Sequence, residues 1–299
     1  MQEQRLDTCL PPIVCCIDDR YVLPFCVLLE SLARSSAHFH GDLQILVVHE
    51  VLSVDSKKRI DRHAKRLGLR VEYFAADPVD NRFPTDGPHP GQFTHSVYLR
   101  LLIGDMLPAV PRALYLDADL VVLGDIRPLL LNPMKDQAIG AVQDPIQLTL
   151  DQGYALPGWQ EEGVPGDREY FNSGVLLLNL EECRSRGLFE RALNFLVDFP
   201  ERAACLDQDA LNWASNDEWL RLDRCWNTLN SQTFISYFGS DHFENSGAGS
   251  AIELLLEDER KASILHFAGP RKPWSAECPE SEAVSVYRRL LRVVMENDQ

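Results

Sequence analysis

Short, wholly apolar runs alternate with longer segments whose apolar residues recur at helical spacing, and this alternation organises the first part of the chain. "IVCCI" (13–17) reads as a strand buried on both faces, and "LQILVVH" (43–49) and "LRVEYFA" (69–75) as two more. Between them, residues 21–36 carry an apolar helical stripe. Residues 53–68 form an amphipathic helix, with Ser53 placed to cap its start and Gly68 to stop it. Strand, helix, strand, helix, strand at this spacing predicts right-handed crossovers and a mainly parallel sheet flanked by helices. The expected class is α/β, with a Rossmann-like central sheet.

Beyond this the pattern continues less regularly. A polar loop rich in Pro and Gly (77–92) precedes an expected helix at 94–107 and a strand that ends at Asp117. Residues 137–144 and 171–180 are further strand candidates, joined by the loop-like stretch 153–170. Helical spacing marks 188–199, 207–215 and the tail 281–295, and "ILHFA" (264–268) reads as a late short strand. The Gly, Ser and Asn content of 231–250 suits a mobile loop. No repeat or linker interrupts the chain, so one domain over 1–299 is expected.

Charge narrows the partners. Forty-five acidic against 29 basic residues give a formal net charge of −16. Such a surface repels nucleic-acid phosphates, and no basic stripe offsets it. An anionic ligand would need a local cation, and a divalent metal is the simplest. The eight cysteines form no C-x-x-C pair, which argues against a zinc knuckle, and they are expected to be reduced. The first residues lack the design of a signal peptide, no apolar run is long enough to span a bilayer, and no Asn-x-Ser/Thr sequon occurs. A cytoplasmic protein is expected.

Two carboxylates, Asp117 and Asp119, close the apolar run "ALYL" (113–116) with only Ala118 between them. Residues two apart on a strand point to the same side, so both can converge on one point beyond the strand end. Convergent carboxylates repel unless a cation or proton lies between them. Hard oxygen donors suit Mn²⁺ or Mg²⁺, which complete their coordination with phosphate oxygens. Haloacid-dehalogenase-like phosphatases also place D-x-D after an apolar strand, but near the chain's start; here it follows a long α/β segment. The bland alternative is a solvated turn with two incidental acids. Downstream, "ILHFAGPRKPW" (264–274) offers His266 as a nitrogen donor acceptable to Mn²⁺, Gly269 for close backbone approach, and Lys272 as a point charge for a phosphate. Neither G-x-G-x-x-G nor a P-loop occurs, so no usual glycine-rich cradle holds a nucleotide.

In order along the chain, D-x-D after "LYL", "YFNSGVLLLNL", "LDQDALN" and H-x-x-G-x-x-K-P-W resemble glycosyltransferase family 8, from about Ile13 to Trp274. That family includes bacterial lipooligosaccharide α-galactosyltransferases and α-glucosyltransferases, with glycogenin a more distant relative. The resemblance implies a GT-A fold, with a nucleotide-sugar-binding half at about 10–145, an acceptor half at about 146–275, and a C-terminal helix at 281–296. It implies that Asp117, Asp119 and His266 bind Mn²⁺ (or Mg²⁺), which holds the diphosphate of a UDP-sugar donor. It assigns Asp18 and Asp19 to the nucleotide pocket, although many relatives carry Asn where this chain has Arg20. Taken alone, Asp18-Asp19 suits a helix-capping turn. Arg100, Asn172 and Ser173 match donor-sugar contacts, as Ala118 and Gly269 match the backbone beside the metal and phosphates. Asp144 matches an acid facing donor or acceptor. Asp207 and Gln208 match positions facing the transferred sugar; read locally, Asp207 suits the N-cap of the helix 207–215.

The implied reaction moves a hexose, glucose or galactose, from UDP-hexose to a hydroxyl of a glycan, glycolipid or glycoprotein with retention at the anomeric carbon. Lys272 and the metal would stabilise the departing UDP. Gln208 is a poor nucleophile, so front-face attack is preferred over double displacement. Two other readings stay open: a nucleotide-sugar-binding pseudoenzyme, and a metal-dependent hydrolase using the same site. The tail, with Arg288, Arg289 and Arg292 on an apolar helix, either packs on its own domain or makes a weak contact at the inner membrane face.

Overall fold

The computed structural model describes residues 10–38, 42–77, 83, 95–239 and 251–298. Among the described residues, ten strands form two sheets. They are β1 (Ile13–Cys16), β2 (Gln44–His49), β3 (Arg70–Ala75), β4 (Arg112–Leu116), β5 (Leu120–Val122), β6 (Ile139–Gln143), β7 (Phe171–Asn179), β8 (Leu220–Arg221), β9 (Thr228–Leu229) and β10 (Ile264–His266). The central sheet has seven strands in the order β3-β2-β1-β4-β7-β6-β8. Pairing is parallel throughout except at β7, which runs antiparallel to both β4 and β6. The mainly parallel α/β sheet expected from the alternation is therefore present. A small second sheet, β5-β10-β9, was not legible in the pattern.

Alternation along the central strands builds two apolar layers. Ile13, Cys15, Ile45, Val47, Leu114, Leu116 and Leu177 face one layer, with the helix Val22–Ser35 against them. Val14, Leu46, Val48, Ala113, Tyr115, Leu176 and Leu178 face the other, with the helix Leu188–Asp198. The helix Val54–Leu67 begins and ends as expected. The Ser53 side chain accepts from Ser56 N, and Gly68 closes the helix in the left-handed region at φ 71°.

Two local expectations need correction. Residues 95–106 wind as two 3-10 turns, His95–Val97 and Leu99–Leu102, and one short α-turn, Ile103–Met106, rather than one helix. Leu99 through Leu102 and Ile103 are all buried, so this segment has no solvent face for a helical stripe to define. The helix Asp207–Ser215 is not capped by Asp207. Leu206 holds the cap position in the left-handed half of backbone space (φ 54°, ψ −124°), and Asp207 is already helical.

The helix Glu282–Glu296, capped by Ser281, buries Ala283, Val284, Tyr287 and Val294 in the first apolar layer. Tyr287 packs against Phe267 and Trp274 at centroid distances of 5.1 and 5.7 Å. Arg288 donates to Pro273 O and Ser275 O, both at 2.9 Å, which ties the helix to the loop carrying Lys272. Among the described residues, no helix is long and apolar enough to cross a membrane. The seven described cysteines are free. Residues 231–238 form a helix, whereas 240–250 and most of the loop 77–92 lie outside the described residues.

Candidate active site

The carboxyl ends of β1 and β4 lie side by side in parallel, which is where ligands bind in open α/β sheets. Asp117 follows β4 and Asp119 precedes β5, so the turn between the two sheets carries both acids. Strand β5 pairs antiparallel with β10, setting Leu120 opposite His266. The small sheet thus delivers an imidazole from far along the chain to the two carboxylates. His266 Nε2 lies 3.7 Å from Asp117 Oδ2 and 3.5 Å from Asp119 Oδ1. One ligand atom from each of the three lies within 4.8 Å of the others. Two carboxylates and an imidazole at this separation fit a hard divalent cation.

Lys272 reaches the same point. Its Nζ donates to Asp119 Oδ2 at 2.5 Å and to Phe267 O at 3.0 Å. Burial pushes the Asp119 carboxyl up, but Lys272 and His266 outweigh it and hold the group well below the usual carboxylate range. Burial disfavours the Lys272 ammonium, and Asp119 reverses this, raising its pKa. Gly269 sits in the left-handed region at φ 87° and backs onto Phe234, where a β-carbon would come within 3.3 Å of Cζ.

Strand β7 bulges where it meets the site. Its pairing with β6 jumps from Ala141↔Leu176 to Val142↔Asn172, while Gly174 O accepts from Asp117 N at 2.9 Å. The bulge turns Asn172, Ser173 and Gly174 toward the acids. Buried Arg100 joins three of the expected residues. Its Nη2 lies 2.9 Å from Asp117 Oδ1 and its Nε 3.0 Å from Asp207 Oδ2. Its Nη1 donates to Ser173 O at 2.8 Å and Ser173 Oγ at 3.2 Å. Ser173 Oγ also donates to Asp207 Oδ2 at 3.2 Å. Burial raises the Asp207 carboxyl to about 6, with Arg100 pulling down and Asp117 pushing up.

A second group forms around buried Asp144. Its Oδ1 accepts from Ile146 N at 2.8 Å and its Oδ2 from Asn172 Nδ2 at 3.2 Å and Gln208 Nε2 at 3.1 Å. Burial nevertheless raises its pKa. Gln208 Oε1 accepts from Ser173 N at 3.0 Å, so both ends of that amide are engaged. Ala118 is buried between the two acids.

Asp18 and Asp19 stand apart. Asp18 caps the 3-10 turn Asp19–Tyr21, accepting from Arg20 N at 2.9 Å, and also accepts from Ser96 Oγ at 3.4 Å. Asp19 turns to Ser53 N at 3.0 Å, and hydrogen bonds from Ser56 and Ser53 hold its carboxyl below the usual range. The capping turn read locally is present, and Asp19 is not gathered with the other acids.

Sequence reasoning missed two side chains. Tyr115 donates its hydroxyl to Asp117 Oδ1 at 2.6 Å, and its ring lies 4.7 Å below the Arg100 guanidinium. Its hydroxyl, alone in the apolar "ALYL" run (113–116), was the signal. Buried Asn227 contacts His266 Nδ1 at 2.9 Å and donates to Asn172 Oδ1 at 2.8 Å. Its place in "CWNTLN" carries no signal without the fold.

A mainly parallel α/β sheet with an acid-imidazole cluster beyond its carboxyl edge defines an α/β protein with a candidate cation site. The chain belongs to glycosyl transferase family 8, whose model matches residues 12–278. General stress protein A of Bacillus subtilis (strain 168) is 26% identical over 268 residues, 88% of this chain and 87% of that protein. The lipopolysaccharide glucosyltransferase WaaO of Escherichia coli (strain K12) is 30% identical over 230 residues, 74% of this chain, which spans 60% of WaaO. In fold, the chain is similar to the galactosyltransferase LgtC in complex with donor and acceptor sugar analogs. That match has a TM-score of 0.74 at 22% identity and covers 94% of this chain and 95% of that one.

Proposed function

We propose that this glycosyltransferase moves a hexose, glucose or galactose, from a UDP-sugar to a hydroxyl of a glycan, glycolipid or glycoprotein, with retention at the anomeric carbon. The observation that carries the reading is the convergence of Asp117, Asp119 and His266 from two sheets, with Lys272 beside them. Asp117, Asp119 and His266 would hold Mn²⁺, or Mg²⁺. A divalent ion there supplies positive charge for the donor diphosphate and for the departing UDP. The family membership and the name of the WaaO relative support a sugar donor and a glycan acceptor.

The chain's own residues do the rest. Lys272 supplies a cation beside Asp119, and its ammonium would turn from that carboxylate toward a phosphate oxygen. Arg100 holds Asp117 and Asp207 in place and shields the two carboxylates from each other. Asp144, Asn172, Ser173 and Gln208 form one hydrogen-bonded group, against which the transferred sugar would lie, and Asp18 would contact the nucleotide. Gln208 is a carboxamide bound at both ends, and Asp207 is paired with Arg100 and Ser173. Neither is free to attack the sugar. The acceptor hydroxyl therefore attacks on the face from which UDP leaves and gives its proton to a UDP oxygen. The tail helix keeps a packing role, with Arg289 and Arg292 left facing outward for contact with a membrane surface.

The test is the anomeric configuration of the product. The protein is incubated with UDP-glucose or UDP-galactose, Mn²⁺ and a panel of alkyl glycosides, and the new linkage is read by proton NMR. An α-linked product supports the reading. A β-linked product, or release of inorganic phosphate in place of UDP, overturns it.

A further inference from the structure

Asn227 is buried and stands immediately before β9, between the two sheets. Its amide touches two other side chains, His266 at Nδ1 and Asn172 at Oδ1. Amide orientation and imidazole tautomer are ordinarily interchangeable assignments. Here a backbone group removes the freedom.

Gly174 N–H can only donate, and it lies 3.0 Å from one amide atom of Asn172, which must therefore be the oxygen. The nitrogen of Asn172 then faces Asp144 Oδ2 at 3.2 Å, a sound pairing with a carboxylate. Because Asn172 Oδ1 accepts, the atom of Asn227 that lies 2.8 Å from it must be a donor, Nδ2. The other end of Asn227 is then Oδ1, which can only accept, so the hydrogen between it and His266 belongs to Nδ1. In the neutral ring the Nε2 lone pair is left pointing at Asp117 Oδ2 and Asp119 Oδ1, neither of which can donate to it as a carboxylate. A cation satisfies all three.

We infer that Asn227 is a positioning residue that holds His266 as the Nδ1–H tautomer, so that Nε2 is presented as a metal ligand. The inference rests on the metal site proposed above. It extends that site through Asn227 and Asn172 to Asp144 and Gln208, so the groups around the metal and those around the sugar share one hydrogen-bonded chain. An outer partner that fixes a ligand histidine is worth 10- to 100-fold in metal affinity.

Two measurements test it. In metal-free protein labelled with ¹⁵N-histidine, held above the imidazole titration range, long-range ¹H–¹⁵N correlation reports which ring nitrogen is protonated, with His266 assigned by its loss in His266→Gln. A protonated Nδ1 is expected, and a protonated Nε2 overturns the inference. Calorimetric titration of Mn²⁺ then compares the wild type with Asn227→Ala and Asn227→Asp. The Asp variant keeps an acceptor at Nδ1 but sets a second oxygen against Asn172 Oδ1, so it is expected to bind between the wild type and the Ala variant, which weakens by about 10- to 100-fold. Equal binding by all three, or equal loss in both variants, overturns the positioning role. Should Asn227→Ala fail to fold, the wild-type tautomer decides alone. Wild-type protein that binds no Mn²⁺ overturns the metal site itself, an outcome distinct from a failure of Asn227.

Discussion

Gly174 lies so close to His266 that a β-carbon on it would stand 2.2 Å from the imidazole Cε1 and 3.0 Å from Asp117 Oδ2. Only the absence of a side chain lets the bulged strand β7 run beneath His266 and Asp117. The ring it would strike is buried and bonded, so it cannot simply swing away.

Gly174→Ala is therefore expected to displace His266 and to weaken Mn²⁺ binding by at least about tenfold, the scale of a misplaced ligand. Calorimetric Mn²⁺ titration with a circular-dichroism melt as folding control checks this. Unchanged affinity in a folded variant would show that His266 is not a ligand.

Arg100 makes a separate prediction about stability. It is the cation between buried Asp207 and half-buried Asp117, and it also bonds Ser173. Removing one partner of a buried ion pair costs about 3–5 kcal/mol. Arg100→Ala should lower the urea midpoint accordingly. Arg100→Lys should recover only part of the loss, because one ammonium cannot reach all the partners of a guanidinium fork.

Tyr115→Phe removes one hydroxyl and nothing else from a fully buried ring. The loss of its bond to Asp117 should cost about 1 kcal/mol of stability. Mn²⁺ affinity should fall by a few-fold, less than in Gly174→Ala, because Arg100 still holds the carboxylate.

Asp209 predicts a pH dependence unrelated to the metal. It accepts from Leu156 N at 2.9 Å, Tyr170 Oη at 2.7 Å and Cys205 N at 2.7 Å, and burial raises its carboxyl from 3.8 to about 7. Its folded pKa lies above its unfolded one, so the folded chain holds the proton longer. The resulting stability is full below about pH 4 and is lost as pH rises to about 7. Measured by urea unfolding, the wild type should lose stability relative to Asp209→Asn over that window. The slope should reach at most about 1.4 kcal/mol per pH unit, with parallel curves above it. Parallel curves throughout would contradict the shift.

The central strands were legible because alternation and wholly apolar runs report burial directly. Strand β5 was not, since Leu120–Val122 is a three-residue element that exists only by pairing with β10, far along the chain. The two acids and His266 could be read individually as metal-binding types, but their meeting depends on that pairing. Asp207 was misread as a helix cap because its sequence position suits one. In the fold its carboxylate is taken by Arg100 and Ser173, and the cap position falls to Leu206. Asn227 carried no signal, because an amide's role is set by which donors surround it, here a backbone N–H reached through Asn172.

Calorimetric titration of UDP-glucose and UDP-galactose, with and without Mn²⁺ and repeated on Asp119→Asn, asks whether the acid cluster anchors the donor. Binding that requires Mn²⁺ and disappears in Asp119→Asn is the predicted result, and the tighter of the two ligands then indicates the donor. Equal affinity with and without the metal would mean that Asp117 and Asp119 do not hold the diphosphate, and the proposed mechanism would fall with them.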